Sequence, residues 1–428
     1  MKENPFVPAT ARRFLSTVIF NLPVCARDRS GNPAGAAEEL QRIARFFAQS
    51  AKNAPKLGIL LVSIPAAIRC IFRARQVCGA CFLGMLFVFA GCTTPSEWHK
   101  TFVFGTVCRV RFFERVPASL QHAVFSRLRE LDDIFSVTRS GTSLAVINQN
   151  AGIAPVPAPR EVLTVLSRAL YFAEQTTLGN KKAAFDPTIG PLAKLWNIGT
   201  EDEHIPKEAE IRTALAHVDW REVEINMENQ TVFLKKPGMM LDLGAVVKGY
   251  AADEAVRILE DAGVSRALLD FGGNIYALGS KSYTSNFQIG IQDPRAPRGV
   301  YKGILEVHDT SLVTSGDYER FFEIDNTRYH HILSTETGWP VSNGIRSVTI
   351  IMDSSMDADA LSTSVFALGY EKGSELLSNF PDAGSIFVFD DGSVVVSDSL
   401  REIYTSSTPE TVGSANLIIG NISGSTAL

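Results

Sequence analysis

The fifteen residues from Val77 to Gly91, rich in Leu, Phe and Val, carry no charged side chain, and Arg69, Arg73 and Arg75 stand just before them. Cys92 follows directly. A basic flank, a short apolar core and a small-residue end make up a secretory signal. The run is shorter than the roughly 20 residues that span a bilayer; a buried core segment is the competing reading. This boundary limits the folding unit to about residues 93–420, long enough for one large or two intimate domains. The signal peptide is expected over 69–91. Residues 1–75 then precede it as an extension, either a start assigned too far upstream or a disordered stretch, and 92–428 carry the domain.

Charge and cysteine usage change at the same point. Residues 1–91 hold 12 Lys/Arg and 4 Asp/Glu, which leaves 41 − 12 = 29 basic and 46 − 4 = 42 acidic residues beyond, a net of −13. An acidic body argues against nucleic acid, whose phosphate backbone needs a basic face. Five of the six cysteines lie at or before Cys92, so Cys108 alone remains in the body and no disulfide forms there. Cys78-Gly-Ala-Cys81 falls inside the apolar run and reads as signal peptide rather than redox chemistry.

Helical spacing marks Ser119–Phe135, a helix opened by Pro159 that runs through Phe172 and ends near Gly179, and a third from Val246 to Ala262 that Gly263 stops. Residues 189–206 read as irregular. Strand patterns fall at 223–225, 231–234, 240–243, 267–271, 287–291, 303–307, 311–314, 321–324, 329–333 and 347–351. Helices at 357–368 and 371–378 precede strands at 385–389 and 393–397, and the tail from Ser406 reads as mobile. Blocks of helices and strands without regular alternation predict an α+β fold.

Asp359 and Thr363 are four residues apart on the expected helix, about one turn, so their oxygens face one way. Both are hard ligands of the kind Mg²⁺ prefers, although helix capping is their commoner use. His330 and His331, adjacent on an expected strand, must point to opposite faces, so one of them meets a ligand. Asp270-Phe-Gly272 spells a kinase metal motif, but the other kinase signatures are missing. No Gly-x-Gly-x-x-Gly turn follows an early strand, which excludes a Rossmann dinucleotide domain.

Seven segments, in order, resemble the ApbE family of flavin transferases. They are Phe104-Gly-Thr106, Phe185-Asp-Pro-Thr-Ile-Gly-Pro-Leu192, Leu241-Asp-Leu-Gly-Ala-Val-Val-Lys-Gly249, Asp270-Phe-Gly-Gly-Asn274, Ser315-Gly316, Tyr329-His-His-Ile-Leu333 with Thr337-Gly338, and Ala358-Asp-Ala-Leu-Ser-Thr363. The resemblance covers about residues 100–400. It implies an α+β fold and an enzyme that cleaves FAD with Mg²⁺, places FMN on a threonine of a partner protein and releases AMP. Acceptors in the family are subunits of Nqr- and Rnf-type membrane redox pumps, and some members hydrolyse FAD to FMN and AMP instead. A lipoprotein that only binds flavin or metal is the non-enzymatic alternative. Ala90-Gly-Cys92 resembles a bacterial lipobox, with Phe89 in the usual Leu position, which implies a lipid anchor on Cys92 at the periplasmic face of the inner membrane.

By the same resemblance, Asp359 and Thr363 hold Mg²⁺ with the carbonyl of Ala245 and with Ser362. His331 best matches the family's essential histidine, as general base or phosphate contact. Lys248 and Asp242 contact FAD; Phe104, Ala184, Phe185 and Asp186 line its flavin or adenine ends, and Ser315 and Leu333 complete the ligand set. Ser136-Val-Thr138 stands where many members carry a tyrosine beside the isoalloxazine, so Thr138 edges that position and stacking falls to Phe104 or Trp196. Gly272-Gly273-Asn274 forms either a turn near the phosphates or one that merely ends a strand.

Overall fold

Nine strands form one sheet. In spatial order they are β1 (Trp98–Val103), β2 (Thr106–Phe112), β6 (Ala267–Phe271), β7 (Asn274–Leu278), β10 (Thr310–Gly316), β13 (Ile345–Met352), β14 (Gly384–Phe389), β15 (Val394–Ser397) and β17 (Leu417–Gly420). Every neighbouring pair is antiparallel except β15 with β17. This computed structural model describes residues 97–179, 181–407 and 417–420. The expected signal peptide, Cys92 and the extension 1–75 lie outside the described residues.

Strand side chains alternate between two apolar layers, as the two-residue period of a pleated sheet requires. Val313, Ile350 and Phe387 enter the larger core, while Leu312, Ile351, Ile386 and Val388 enter a second one. The larger core is closed by α1 (Ala118–Phe135), α2 (Ser143–Gln149), α3 (Arg160–Gln175), α6 (Gly244–Asp261), α7 (Ser355–Leu368) and α8 (Tyr370–Leu377). The second is closed by a small sheet of β8 (Phe287–Gln292), β9 (Tyr301–Val307) and β16 (Tyr404–Ser406). A third sheet joins β3 (Val156–Pro157), β5 (Thr231–Leu234) and β4 (Val223–Asn226). Helices α4 (Gly190–Trp196) and α5 (Glu208–Leu215) pack with the hairpin of β11 (Phe321–Ile324) and β12 (Thr327–His330) around a third apolar cluster. The expected α+β class holds. Cys108 is free and fully buried on β2.

Helix α7 is apolar on nearly every side, and Ala358, Leu361, Val365 and Phe366 are wholly buried. Such a helix belongs inside the protein, and α7 lies against α6, β10 and β13. Its start is fixed twice. The Ser354 side chain accepts from the Asp357 N–H, and Asp253 on α6 accepts from the Ser355 and Met356 N–H groups at 2.8 and 2.9 Å. The two helices touch through backbone at Gly249, where an added Cβ would stand 2.1 Å from the Ser355 carbonyl oxygen. Any larger residue there pushes them apart.

Several local expectations are corrected. Residues 240–243 are not a strand: Met240 makes a single bridge to Ile189, and the chain enters α6 at Gly244. Residues 189–206, expected to be irregular, contain α4, whose start is set by Gly190-Pro191. Strand β12 stops at His330, so His331 lies just past it rather than within it. Short α2 and α5, and the strands β1, β2 and β7, had no reading. Within the tail, Leu417–Gly420 form β17, which pairs in parallel with β15.

Candidate active site

A cavity of about 820 Å³ opens where the ends of these elements meet. Its wall includes Asp359 and Thr363 from α7, Gly244, Ala245 and Lys248 from α6, Thr314, Ser315 and Gly316 from β10, and His331, Ile332 and Leu333 after β12. The turn between β1 and β2 supplies Phe104, Gly105 and Thr106, and the loop before α4 supplies Ala184, Phe185 and Asp186. Val137, Thr138, Asp242 and Gly272 also reach it.

Asp359 is 2% exposed and fully engaged. Lys248 Nζ lies 3.2 and 3.3 Å from its two carboxylate oxygens, and the third ammonium donor reaches the Gly244 carbonyl at 2.8 Å. The Gly249 N–H donates to Asp359 Oδ2 at 3.0 Å. That bond ties α6 to α7 through the carboxylate. Thr363 Oγ1 stands 3.0 Å from Ser315 Oγ.

Ser362 departs from its expected place. It is wholly buried and absent from the cavity wall; its hydroxyl donates to the Asp359 carbonyl at 3.0 Å and meets Ser315 Oγ at 2.8 Å. One residue along a helix is a rotation of about 100°, which turns Ser362 toward β10 while Thr363 faces the cavity. Ser362 therefore braces Ser315.

The two histidines separate by their partners. His330 is buried, its Nε2–H donates to the Val341 carbonyl at 2.8 Å, its Nδ1 accepts from the Ile332 N–H at 3.3 Å, and Phe366 meets the ring edge to face. Both nitrogens are spent on structure. His331 Nδ1 lies 3.2 Å from the Arg320 carbonyl. A carbonyl only accepts, so Nδ1 carries the proton and Nε2 keeps its lone pair. Burial, and then the charge of Arg320, hold the His331 pKa well below the ordinary imidazole value, so the ring is neutral near pH 7. The residue has the state a general base needs.

Other expected contacts divide in the same way. Asp186 lines the cavity, yet its oxygens accept from the Thr188 N–H and hydroxyl at 2.8 and 2.6 Å and from the Trp220 N–H at 3.1 Å, while burial raises its pKa. Asp242 Oδ1 accepts from the Gly244 N–H at 2.9 Å. Phe185 is only 5% exposed and packs edge to face on Phe172, and Leu333 belongs to the third apolar cluster. Trp196 offers no open face: it is wholly buried, stacked on Tyr329, edge-on to Trp339, with Nε1–H donating to the Gly338 carbonyl at 2.8 Å. Of the two aromatic candidates for stacking, Phe104 alone is half-exposed. It sits at φ 55°, its N–H donating to Asp132 at 2.7 Å. Thr138 is exposed at the cavity edge.

The turn at Gly272-Gly273 ends β6 and reaches the cavity wall through Gly272. It reverses the chain between β6 and β7, and it lies so close to Thr106 that a Cβ on Gly272 would stand 2.5 Å from the Thr106 hydroxyl. Asn274 already belongs to β7 and is buried. Four further charged groups on the wall had no sequence signal: Lys194, Arg298, Glu319 and Arg320.

A match to the ApbE family spans residues 104–387. The chain belongs to the ApbE family. An FAD:protein FMN transferase of Treponema pallidum (strain Nichols) is 40% identical over 309 residues, covering 68% of this chain and 84% of the relative. Another, from Klebsiella pneumoniae (strain 342), is 37% identical over 303 residues, covering 71% and 92%. The crystal structure of the ApbE protein from Thermotoga maritima superposes with a TM-score of 0.65 at 31% identity, covering 72% of this chain and 99% of that one. The flavin transferase ApbE from Vibrio cholerae gives 0.64 at 26% identity, covering 72% and 100%. The ApbE blocks read from the sequence are thus the segments that meet around this one cavity.

Proposed function

We propose that this chain transfers FMN from FAD to a threonine hydroxyl of a partner protein and releases AMP. The observation that carries the reading is the meeting of Asp359, Thr363, Lys248 and a neutral His331 in one cavity wall, from three separate segments. The names borne by its relatives point the same way. FAD is the substrate, and Phe104, Thr138, Ala184, Phe185, Asp186, Asp242, Lys248, Ser315, His331 and Leu333 are the residues on the wall that would receive it.

The donor set suits Mg²⁺. Asp359, Thr363 and the Ala245 carbonyl are hard oxygen ligands with a single carboxylate among them, and the described residues contain no group of three or more His, Cys, Asp or Glu side chains able to hold a metal. Mg²⁺ is commonly bound by one or two carboxylates together with substrate phosphates. When bound, it would neutralise charge on the phosphates. His331 Nε2 takes the proton of the acceptor hydroxyl. That oxygen bonds to the phosphorus on the flavin side of the anhydride, the bridging P–O bond breaks, and AMP leaves with the electron pair. Lys248 balances the Asp359 charge and keeps the carboxylate aimed.

Because His331 is half-buried rather than sealed, water can stand where the acceptor hydroxyl does, and FAD hydrolysis is the second outcome of the same site. Incubation with FAD and Mg²⁺, with and without a threonine-bearing acceptor, separates them: FMN mass gain on the acceptor marks transfer, and free FMN with AMP in its absence marks hydrolysis. Intact FAD in both arms refutes either reading. The acceptor is a subunit of an Nqr- or Rnf-type redox pump, and the enzyme sits at the periplasmic face of the inner membrane on a lipid attached to Cys92. The sequence from Arg69 to Cys92 supports that anchor; metabolic labelling with a fatty acid, absent in C92S, tests it.

A further inference from the structure

Four cations line the cavity: Lys194, Lys248, Arg298 and Arg320. Lys248 is held by Asp359, and Arg298 lies 3.7 Å from Glu319. The guanidinium of Arg320 has no acidic partner among the described residues, and the side chain is exposed to the cavity. Lys194 shares that state but stands on α4, on another part of the wall. Arg320 stands beside the base.

That juxtaposition follows from the hairpin. Strands β11 and β12 are joined by Asp325 and Asn326, both at positive φ, 49° and 60°. A two-residue turn with both central residues left-handed locks strand register. Phe321 pairs with His330, so Arg320 and His331 are the next pair along. The Arg320 carbonyl receives both the His331 N–H, at 3.1 Å, and His331 Nδ1, at 3.2 Å. The stem of Arg320 runs past Gly199, its Cδ 3.5 Å from where a Cβ on that glycine would stand. In a domain of net negative charge, an unpaired guanidinium facing a cavity calls for an anionic ligand, and its planar fork fits phosphate oxygens.

We propose that the Arg320 side chain binds the non-bridging oxygens of the phosphoryl group under attack. The inference rests on the FMN-transfer reading and deepens it. One hairpin end then brings the base to the incoming hydroxyl and a cation to the phosphorus it attacks. As the oxygen–phosphorus bond forms and the bridging bond breaks, charge gathers on those oxygens, and the guanidinium offsets it. Removing such a donor typically lowers kcat by roughly 10²-fold.

The test compares wild type with R320M, R320K and R320A in the full chain, using FAD, Mg²⁺ and a threonine-bearing acceptor peptide, after thermal melts confirm folding. R320M should lose on the order of 10² in kcat with KM for FAD changed far less. FMN, which carries the attacked phosphate, should inhibit R320M roughly 10-fold more weakly, whereas AMP inhibition stays as in wild type. Added guanidinium ion should restore part of the R320A rate, which a merely structural loss would not allow. Weaker AMP inhibition with unchanged FMN inhibition overturns the proposal, as does an R320M rate equal to wild type. If R320M does not fold, R320K keeps the stem and charge without the fork, and an unaltered R320K kcat equally overturns it. Wild type that neither transfers nor hydrolyses refutes the function itself, a different result.

Discussion

Lys248 Nζ sits within 3.2 and 3.3 Å of both carboxylate oxygens of Asp359, bridging the first turns of α6 to the middle of α7. The pair comes from positions 111 residues apart and is nearly enclosed, with side-chain exposures of 20% and 3%. Neither residue can be altered alone without leaving the other's charge uncompensated.

Asp359→Asn should therefore cost both stability and activity. Removing one partner of a buried pair orphans the other; with Lys248 still 20% exposed, the expected loss is about 2 kcal/mol rather than the full buried cost. The double variant D359N/K248M should recover part of the melting temperature and none of the turnover. Turnover of either should fall by roughly 10³-fold or more, read as AMP release at saturating FAD and Mg²⁺. A melting temperature for D359N equal to wild type would show that the pair is not held in solution.

His331 sets the acid side of the pH profile. Its pKa is held well below the ordinary value by burial and by Arg320. The neutral, proton-accepting form thus persists below the usual imidazole range, and kcat/KM should stay level down through about pH 6.5 before it falls. H331Q should lose that limb and about 10²–10⁴ in rate. The sign for stability is the same: the unfolded chain binds the proton more readily, so stability falls as pH drops through this window. A limb centred at or above the ordinary histidine value would contradict the buried geometry.

Ser362 and Thr363 are neighbours that should behave differently. Thr363→Ala removes an oxygen from the cavity wall, and it should raise the Mg²⁺ concentration needed for half-maximal turnover. Ser362→Ala removes a buried hydroxyl bonded to Ser315 and the Asp359 carbonyl, so it should cost about 1 kcal/mol of stability with a smaller effect on Mg²⁺. Metal titrations and thermal melts on both variants check this; equal Mg²⁺ responses would return Ser362 to the ligand set.

Gly249→Ala should be among the most damaging single-methyl additions in the domain. The added carbon would meet the Ser355 carbonyl at 2.1 Å and Met356 Cα at 2.7 Å, backbone atoms that cannot rotate away. Overpacking of this kind costs about 1–3 kcal/mol or more. Activity should drop further than stability, because the shift separates Lys248 from Asp359. A melting temperature within a degree of wild type would mean that the helices adjust freely.

The long amphipathic helices and the central strands were legible because their periodicity reflects a single apolar face. Strand Ala267–Phe271 was read to the residue, and α1, α3 and α6 to within a few positions. Helix α4 was not, since Gly190 and Pro191 look like breakers and its burial depends on Tyr329 and Trp339, more than 130 residues away. Ser362 and Trp196 were misplaced because a motif gives order along the chain, whereas facing depends on helix rotation and on what else packs there. Arg320 carried no signal at all. Its position follows from register across a hairpin, which spacing along the chain does not encode.

The Asp325–Asn326 turn lies on the surface, yet its length is tied to the chemistry. Inserting one residue there while the strand beyond slid to compensate would exchange inward and outward side chains along β12. The imidazole of His331 would then be carried off the cavity wall. Loops usually tolerate insertion and deletion, but at this one the number of residues matters more than their kind. A surface reversal that forms no part of the cavity wall thus acts as a length standard for the reaction.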